Sequence, residues 1–244
     1  MTQGKISLVG VGPGDPELVT RKAERVLREA DVLYHPGRDQ QTGFAYQIIR
    51  GLLPAHVEVR AAAVELAGEV DRYESLAAEL AAHARAGKRA VFITEGDPLV
   101  YSTASRILDE LQTRWTEVSV EVIPGVTSLT AVAAAIGEGL VQSAETLVVI
   151  PACHHADRLE QLIESHDRVV LVKVGSVFPK IVDVLRRRGW LKDSVYIEKV
   201  GTDHQRIERD VAAVDPSTVS YFSIVLVDLY KSRNFADYPP DNAQ

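Results

Sequence analysis

Three short segments of the chain combine glycine with carboxylates, with hydroxyls or with both. They are residues 10–15, residues 94–102 and residues 124–128, and each follows a run of apolar residues. Glycine lets a ligand approach the backbone, while acids and hydroxyls can hold its polar groups. Ligands of open α/β sheets bind beyond the carboxyl ends of the strands. We therefore predict that the three segments line one crevice for a small polar ligand.

Other interpretations of these segments stay open. Residues 10–15 superficially resemble a dinucleotide-binding fingerprint, but Asp15 stands where that fingerprint needs glycine, and an acid there would repel a pyrophosphate. A nicotinamide-dependent oxidoreductase is therefore the weaker alternative. The segment could also be a glycine-rich turn without a ligand. Asp97, which precedes a proline, could simply initiate a turn.

Strands and helices alternate along the chain. The apolar patterns predict strands at 5–10, 31–34, 89–94, 118–123, 146–150, 168–174, 195–200 and 223–229. Helices are predicted from Asp15 to Ala30, at 73–86, from Ser102 or Thr103 to Leu111, at 127–136, and around Leu162 and Val184; residues 35–43 are predicted to be a loop. This alternation indicates mostly parallel α/β units, with the last two strands antiparallel. We place a domain boundary near Gly125, which gives domains 1–125 and 126–244.

Composition excludes several classes of protein. The 244 residues carry a net charge of −7 and are 46% hydrophobic, which indicates a folded protein and argues against a nucleic-acid binder. No apolar run is long enough to span a membrane. Cys153 is the single cysteine, and with His154 and His155 it matches no zinc pattern, so we predict no metal site. A cytoplasmic protein without a membrane or nucleic-acid partner is expected.

The order of the glycine segments is more specific than any one of them. Gly-x-Gly-Pro-Gly-Asp-Pro at residues 10–16, Gly-Asp-Pro at 96–98 and Pro-Gly-Val-Thr-Ser at 124–128 together resemble the tetrapyrrole methylase family. Residues 172–174, 198–202 and 221–223 also resemble segments of those enzymes. Residues 95–102 resemble the branch that methylates precorrin-2 at C-20. Val100 and Val172 depart from that branch, which often has an aromatic residue and a methionine there.

The resemblance implies a fold and an activity. It implies two α/β domains with a cofactor cleft between them, assembled as a homodimer. The implied reaction is methyl transfer from S-adenosylmethionine to C-20 of precorrin-2, giving precorrin-3A in cobalamin (corrin) biosynthesis, with no metal required. Methylation of cobalt-factor II, or of another ring position of a corrin or porphyrin precursor, is the alternative within the family. A nicotinamide-dependent oxidoreductase and a non-catalytic corrinoid sensor remain the alternatives outside it.

The resemblance also implies site residues. Those expected to bind the cofactor are Pro13, Gly96, Asp97, Pro98, Leu99, Tyr101, Ser102, Thr103, Thr127, Ser128, Val174, Gly201, Thr202 and Ser223. The substrate is rich in carboxylates, so Arg38, Arg106 and Lys173, which stand next to the implied loops, are candidates for binding it. The sequence assigns no catalytic base; Glu95, Asp97 and Tyr101 are the nearest candidates.

Overall fold

The structure is a computed structural model that describes residues 4–37, 39, 42–62 and 70–230. Its contacts divide the chain into two compact units, the first ending at Ser128 and the second beginning at Leu129. Each unit contains a five-stranded sheet with helices packed against it. The α/β class predicted from the sequence is therefore correct. Among the described residues, no helix has both the length and the apolar character needed to cross a membrane.

The sheet of the first unit is entirely parallel, as predicted. Its order is β3-β2-β4-β1-β5. The strands are β1 Lys5–Gly10, β2 Val32–Pro36, β3 Glu58–Ala62, β4 Arg89–Thr94 and β5 Ser119–Ile123. The helices are α1 Arg21–Arg28, α2 Phe44–Ile49, α3 Val70–Arg85 and α4 Thr103–Arg114, and α5 Ser128–Ile136 begins where the unit ends.

Alternating side chains of this sheet fill two separate cores. Leu8 and Phe92 are buried on the face that carries α3 and α4. Their neighbours Val9 and Ile93 are buried on the opposite face, against α1 and α2. Because both faces are covered, the central strands read as continuous apolar runs. That pattern made β1 and β4 predictable to the residue.

Two predictions for the first unit are wrong. The helix expected from Asp15 is a single 3-10 turn, Pro16–Leu18, in which the Asp15 carboxylate accepts a hydrogen bond from the Glu17 amide at 2.8 Å. The chain then becomes extended, and α1 starts only after Thr20, whose hydroxyl accepts from the Ala23 amide at 3.1 Å. The predicted loop at 35–43 also starts too early in the sequence, because β2 continues to Pro36. The sequence patterns gave no expectation of α2 or β3.

The second unit has a mixed sheet in the order β6-β7-β10-β8-β9. Its strands are β6 Leu147–Pro151, β7 Arg168–Val172, β8 Ser194–Glu198, β9 Arg206–Glu208 and β10 Ser223–Asp228, and its other helices are α6 Leu159–Glu164 and α7 Phe178–Arg188. Among the strands that the structure describes in this unit, only β6 and β7 pair in parallel, so the mostly parallel arrangement is wrong here. A parallel return needs a long crossover, whereas residues 199–222 contain only a short strand and two 3-10 turns. The antiparallel pairing of β8 with β10 confirms the prediction for the last two strands.

A buried ion cluster joins three segments of the second unit. Arg168, the first residue of β7, lies opposite Asp228, the last residue of β10. Its guanidinium contacts Glu145 at 3.0 Å and Asp228 at 2.6 Å, and all three side chains are at most 6% exposed. A buried charge is tolerated only when it is paired, so the three residues depend on one another.

Candidate functional site

The three predicted loops leave the first unit from one edge of its sheet. β1 lies between β4 and β5, with Gly10 opposite Thr94 and Val9 opposite Ile123. Since the three strands are parallel, the loops that follow them start side by side. The structure therefore brings these loops together, as the sequence indicated.

One glycine from each loop takes part in a close contact of three backbones, and at Gly10 and Gly125 this contact has no room for a side chain. We call Gly10, Gly96 and Gly125 the glycine junction. A Cβ atom added to Gly10 would lie 2.4 Å from the Gly96 carbonyl oxygen, and one added to Gly125 would lie 2.2 Å from the same oxygen. Hydrogen bonds fix this contact, because the Gly96 amide donates to the Gly12 carbonyl at 2.7 Å. Close approach of the backbones therefore requires glycine at Gly10 and Gly125, whereas Gly96 has open space beside it and a φ of 64° that favours glycine.

Asp97 links the second loop to the third. One carboxylate oxygen accepts a hydrogen bond from the Gly125 amide at 3.1 Å, and the other accepts from the Leu99 amide at 2.9 Å. The second bond is the turn-forming contact expected of an aspartate before a proline. Both carboxylate oxygens of Asp97 are thus already bound to backbone donors. Its structural role is to hold the loops in place.

The second loop exposes an apolar run beyond the junction. Leu99, Val100 and Tyr101 are 55%, 40% and 49% exposed, whereas Pro98 before them is buried. Tyr101 has a positive φ of 52°, which turns the chain back toward α4. Ser102 then caps α4, because its hydroxyl accepts from the Ala104 amide at 3.1 Å and contacts the Thr94 hydroxyl at 3.0 Å. Candidate residue Thr103 is the first residue of that helix.

The other candidates of the first unit flank these loops. Pro13 is buried between Gly12, whose φ is 82°, and Gly14. Thr127 immediately precedes α5, and the Ser128 amide lies 4.0 Å from the position that a Cβ atom would take on Gly96. The first amides of a helix have no partner within it and carry partial positive charge. The space beside Gly96 therefore faces one hydrogen-bond donor, the Ser128 amide.

The candidates of the second unit gather at one edge of its own sheet. Lys173 and Val174 follow β7, and Gly201 and Thr202 belong to the turn after β8. Ser223 starts β10, which lies between those two strands. The Thr202 hydroxyl donates to the Lys199 carbonyl at 2.8 Å.

The Ser223 side chain is engaged inside the protein. It is 2% exposed, and its hydroxyl donates to the Ser220 carbonyl at 2.7 Å and lies 2.9 Å from the Tyr196 hydroxyl. Burial, followed by a hydrogen bond to Glu198, raises the pKa of Tyr196 to about 12, so this phenol stays protonated at neutral pH. Ser223 can contact a ligand only through its backbone.

The basic candidates differ in their surroundings. Arg38 lies outside the described residues. Arg106 is exposed in the first turns of α4, and its guanidinium lies 5.4 Å from the centre of the Tyr73 ring. Lys173 is half-buried and has a positive φ of 56°.

Sequence reasoning overlooked two residues at these sheet edges. His35 is fully buried at the end of β2; its Nδ1 lies 3.0 Å from the Pro36 carbonyl oxygen, and its Nε2 has no partner in the described part of the chain. Lys199 follows β8 and has a positive φ of 48°. The available signal was their position at strand ends, since His35 directly follows an apolar run and Lys199 follows one after a single glutamate.

Comparison with known proteins decides the family. The model of the tetrapyrrole (corrin/porphyrin) methylases matches residues 5–214. The chain belongs to this family. This confirms the resemblance drawn from the glycine segments.

Several curated relatives match nearly all of this tetrapyrrole methylase. It is 32% identical to the precorrin-2 C(20)-methyltransferase of a Sinorhizobium species over 242 residues, which cover 94% of the chain and 97% of the relative. It is 32% identical to the cobalt-precorrin-2 C(20)-methyltransferase of Salmonella typhimurium, over 92% of the chain and 96% of the relative. The cobalamin biosynthesis protein CobIJ of Mycobacterium tuberculosis is 35% identical over 92% of the chain, but the chain spans only 46% of that longer protein.

Solved structures agree on the fold. The methylase matches a cobalt precorrin-4 methyltransferase, CbiF, with a TM-score of 0.74 and 22% identity, over 93% of the chain and 95% of that structure. It matches the uroporphyrin-III C-methyltransferase of Thermus thermophilus, solved with S-adenosyl homocysteine, with a TM-score of 0.66 and 23% identity, over 94% and 99%. The two-domain α/β fold of this methylase is thus the fold of tetrapyrrole methyltransferases.

Proposed function

We propose that the protein transfers a methyl group from S-adenosylmethionine to C-20 of precorrin-2, giving precorrin-3A in cobalamin biosynthesis. The observation that carries this proposal is the match to a precorrin-2 C(20)-methyltransferase along 94% of the chain and 97% of the relative. The match therefore extends over nearly the whole length of both sequences. Family membership supports the same class of reaction.

The residues of the first unit suit the proposed methyl donor. S-adenosylmethionine supplies a methyl group on a positively charged sulfur, an electrophile that needs no metal for activation. The space beside Gly96 admits a ligand close to the backbone, and the Ser128 amide at the start of α5 is a donor of the kind that a carboxylate accepts. The exposed apolar run at 99–101 offers surface for the uncharged parts of a ligand. The chain's task is to position two reactants, which can supply several kcal/mol of the barrier.

We propose that both sets of candidate residues bind the donor. In the first unit they are Pro13, Gly96, Asp97, Pro98, Leu99, Tyr101, Ser102, Thr103, Thr127 and Ser128. In the second unit they are Val174, Gly201, Thr202 and Ser223. The contacts described above give Asp97, Ser102 and Ser223 positioning roles, since their side-chain oxygens already bind other groups of the protein.

The assembly and setting of the protein complete the proposal. We propose a cytoplasmic homodimer with domains 1–125 and 126–244 that acts on a small tetrapyrrole without a nucleic-acid or membrane partner. Sedimentation of the purified protein should give twice the mass of one chain. A monomer at micromolar concentration would contradict the proposed dimer but would say nothing against the proposed reaction.

The test of the reaction is product analysis. The purified protein is incubated anaerobically with precorrin-2 and methyl-labelled S-adenosylmethionine, and the product is analysed by mass spectrometry and carbon NMR. We expect one labelled methyl group at C-20. A methyl group on another carbon would keep the family and reject the position, whereas binding without transfer would favour the corrinoid sensor. An NADH titration, for which we expect no saturable binding, tests the oxidoreductase alternative.

A cobalt-containing substrate is the second candidate. The relative from Salmonella typhimurium carries the name cobalt-precorrin-2 C(20)-methyltransferase and covers the chain almost as completely. Parallel assays with precorrin-2 and its cobalt complex distinguish the two substrates. The larger kcat/KM identifies the natural one.

A further inference from the structure

Two lysines occupy backbone conformations that favour glycine. Among the described residues, four that are not glycine have a positive φ, and two of these are Lys173 and Lys199, at 56° and 48°. Every residue with a Cβ atom is disfavoured in this region, which makes glycine the usual choice. Each lysine is therefore kept at a position where glycine would be less strained.

The two lysines flank the start of the same strand. Lys173 directly follows Val172, which pairs with Ile224 of β10. Lys199 follows β8 on the other side of β10, and its amide donates to the Phe222 carbonyl at 2.9 Å. Neighbouring strands lie about 4.8 Å apart, so the two lysine backbones are roughly 10 Å apart across β10.

Both ammonium groups lack an acidic partner in the part of the chain that the structure describes. Some cations of the second unit pair with carboxylates; Arg168 contacts Asp228, and Lys180 contacts Asp157. Lys173 and Lys199 are half-buried and enter no such pair there. A half-buried cation without an acid is suited to an anion from outside.

We propose that Lys173 and Lys199 form a paired site for two carboxylates of one tetrapyrrole. The net charge of −7 repels a polyanion on average, so binding one requires local cations. Two ammonium groups on either side of one strand can each hold a different carboxylate of the same macrocycle. This inference rests on the proposed function for its substrate class and adds Lys199 and the pairing to it.

The experiment measures equilibrium binding of uroporphyrin, a stable porphyrin with acetate and propionate side chains. Its fluorescence is titrated with the wild-type protein, Lys173→Met, Lys199→Met and the double variant. We expect each single variant to raise the Kd roughly tenfold, and the double variant to raise it further, because each removes one charge-assisted contact. Lys173→Arg and Lys199→Arg, which keep the charge, should restore most of the affinity.

Lys192→Met is the matched control. Lys192 is exposed in the turn before β8, at the opposite end of the strand that Lys199 follows. It carries the same charge, so the control variant measures non-specific attraction. An equal loss of affinity in Lys192→Met, or wild-type affinity in the double variant, would overturn the proposal.

Glycine variants separate binding from folding. Lys173→Gly and Lys199→Gly relieve the backbone, so we expect Tm to hold or rise while uroporphyrin binding weakens. A lower Tm with unchanged binding would make the lysines structural and overturn the proposal.

The carboxylate bound by the two lysines could belong to the tetrapyrrole or to the cofactor, and calorimetric titration with S-adenosyl homocysteine distinguishes the two. We expect all variants to bind S-adenosyl homocysteine as the wild type does. Weakened binding of that ligand with unchanged uroporphyrin binding would assign the lysines to the cofactor and reject the paired site. Because uroporphyrin binding does not depend on turnover, a failure of precorrin-2 methylation would be recognised separately.

Discussion

At the scale of single residues, the candidate site of the first unit is held by backbone contacts. Gly125 contributes no side chain and yet lies where any added atom would meet the Gly96 carbonyl oxygen. Asp97 contributes a carboxylate whose two oxygens bind amides of two loops. Gly125 and Asp97, two residues of the family motifs, therefore determine the conformation of the loops.

Gly125→Ala tests the close approach. Its Cβ atom would lie 2.2 Å from the Gly96 carbonyl oxygen, so one loop must move. We expect a loss of about 1–3 kcal/mol in the free energy of unfolding, measured with urea, and a large loss of methyl transfer. Gly51→Ala is the control, since a Cβ atom there meets nothing within 4 Å. Equal stability of the two variants would contradict the tight contact.

Asp97→Asn tests the link between the loops. The amide group of asparagine would face a backbone N–H in place of one carboxylate oxygen, so one of the two hydrogen bonds is lost. We expect a destabilisation of about 1–3 kcal/mol in urea unfolding and a fall in kcat/KM of about tenfold or more. Asp109→Asn, an exposed position on α4, should behave as the wild type. Wild-type stability of Asp97→Asn would remove the positioning role.

At the scale of elements, a polar cluster fastens α3 to the sheet of the first unit. The Tyr34 hydroxyl of β2 donates to Glu79 at 2.9 Å, accepts from Arg60 of β3 at 3.0 Å and lies 3.2 Å from Nε2 of His83. Burial and then the bond to Glu79 raise the pKa of Tyr34 to about 12. Burial, together with the charges of Arg60 and Lys88, lowers the pKa of His83.

The lowered pKa of His83 predicts a pH dependence of stability. Below its ordinary pKa of about 6.5, the unfolded chain binds this proton more readily than the folded protein does. Stability from this residue is therefore complete above that pH and is lost as the pH falls toward the folded pKa. We expect His83→Gln to lose less stability than the wild type between about pH 7 and pH 5.5 in urea titrations. Parallel curves for the two proteins would contradict this cause.

The same scale shows which elements the sequence could predict. β1 and β4 were predictable because burial on both faces gives a mostly apolar run, broken in β1 only by Ser7, that begins after a lysine or an arginine. β3 was not, because it is an edge strand that mixes Glu58 and Arg60 with small residues. β10 was located correctly, but its place between β7 and β8 depends on pairing across the whole unit. Local patterns carry no such information.

The site followed the same division. Motifs identified the three loops of the first unit, since glycine near acids or hydroxyls can be recognised in the sequence alone. The left-handed backbone of Lys199 was not visible, because it comes from the turn that closes on the Phe222 carbonyl. The hydrogen bond between Asp97 and the Gly125 amide likewise could not be predicted from the sequence, because the two residues come together only in the folded chain.

At the scale of the whole molecule, each unit has its own hydrophobic cores and its own tryptophan, whose fluorescence can report on unfolding. The chain has two tryptophans, Trp115 packed in the first unit and Trp190 packed in the second. Trp190→Phe therefore leaves fluorescence from the first unit alone, and Trp115→Phe leaves fluorescence from the second. Multi-domain chains need not unfold in one step, and this pair of variants follows each unit separately.

Breaking the buried ion cluster should act mainly on the second unit. Arg168→Met removes the cation that pairs with two buried carboxylates, which costs about 3–5 kcal/mol. We expect the urea midpoint followed by Trp190 to fall more than the midpoint followed by Trp115. Arg187→Met, at an exposed ion pair on α7, should change either midpoint little. Equal shifts for both tryptophans would show that the two units unfold together.

The glycine junction also determines how mutational tolerance is distributed along the chain. At Gly10 and Gly125 the first atom of any side chain is already the obstacle, so a saturation library should lose activity equally with every replacement, whatever its size or polarity. At residues 99–101, where side chains are exposed, the loss should instead be graded by side-chain chemistry. A deep mutational scan would thus separate invariant positions from tunable ones, and libraries aimed at altered methylation sites belong at 99–101.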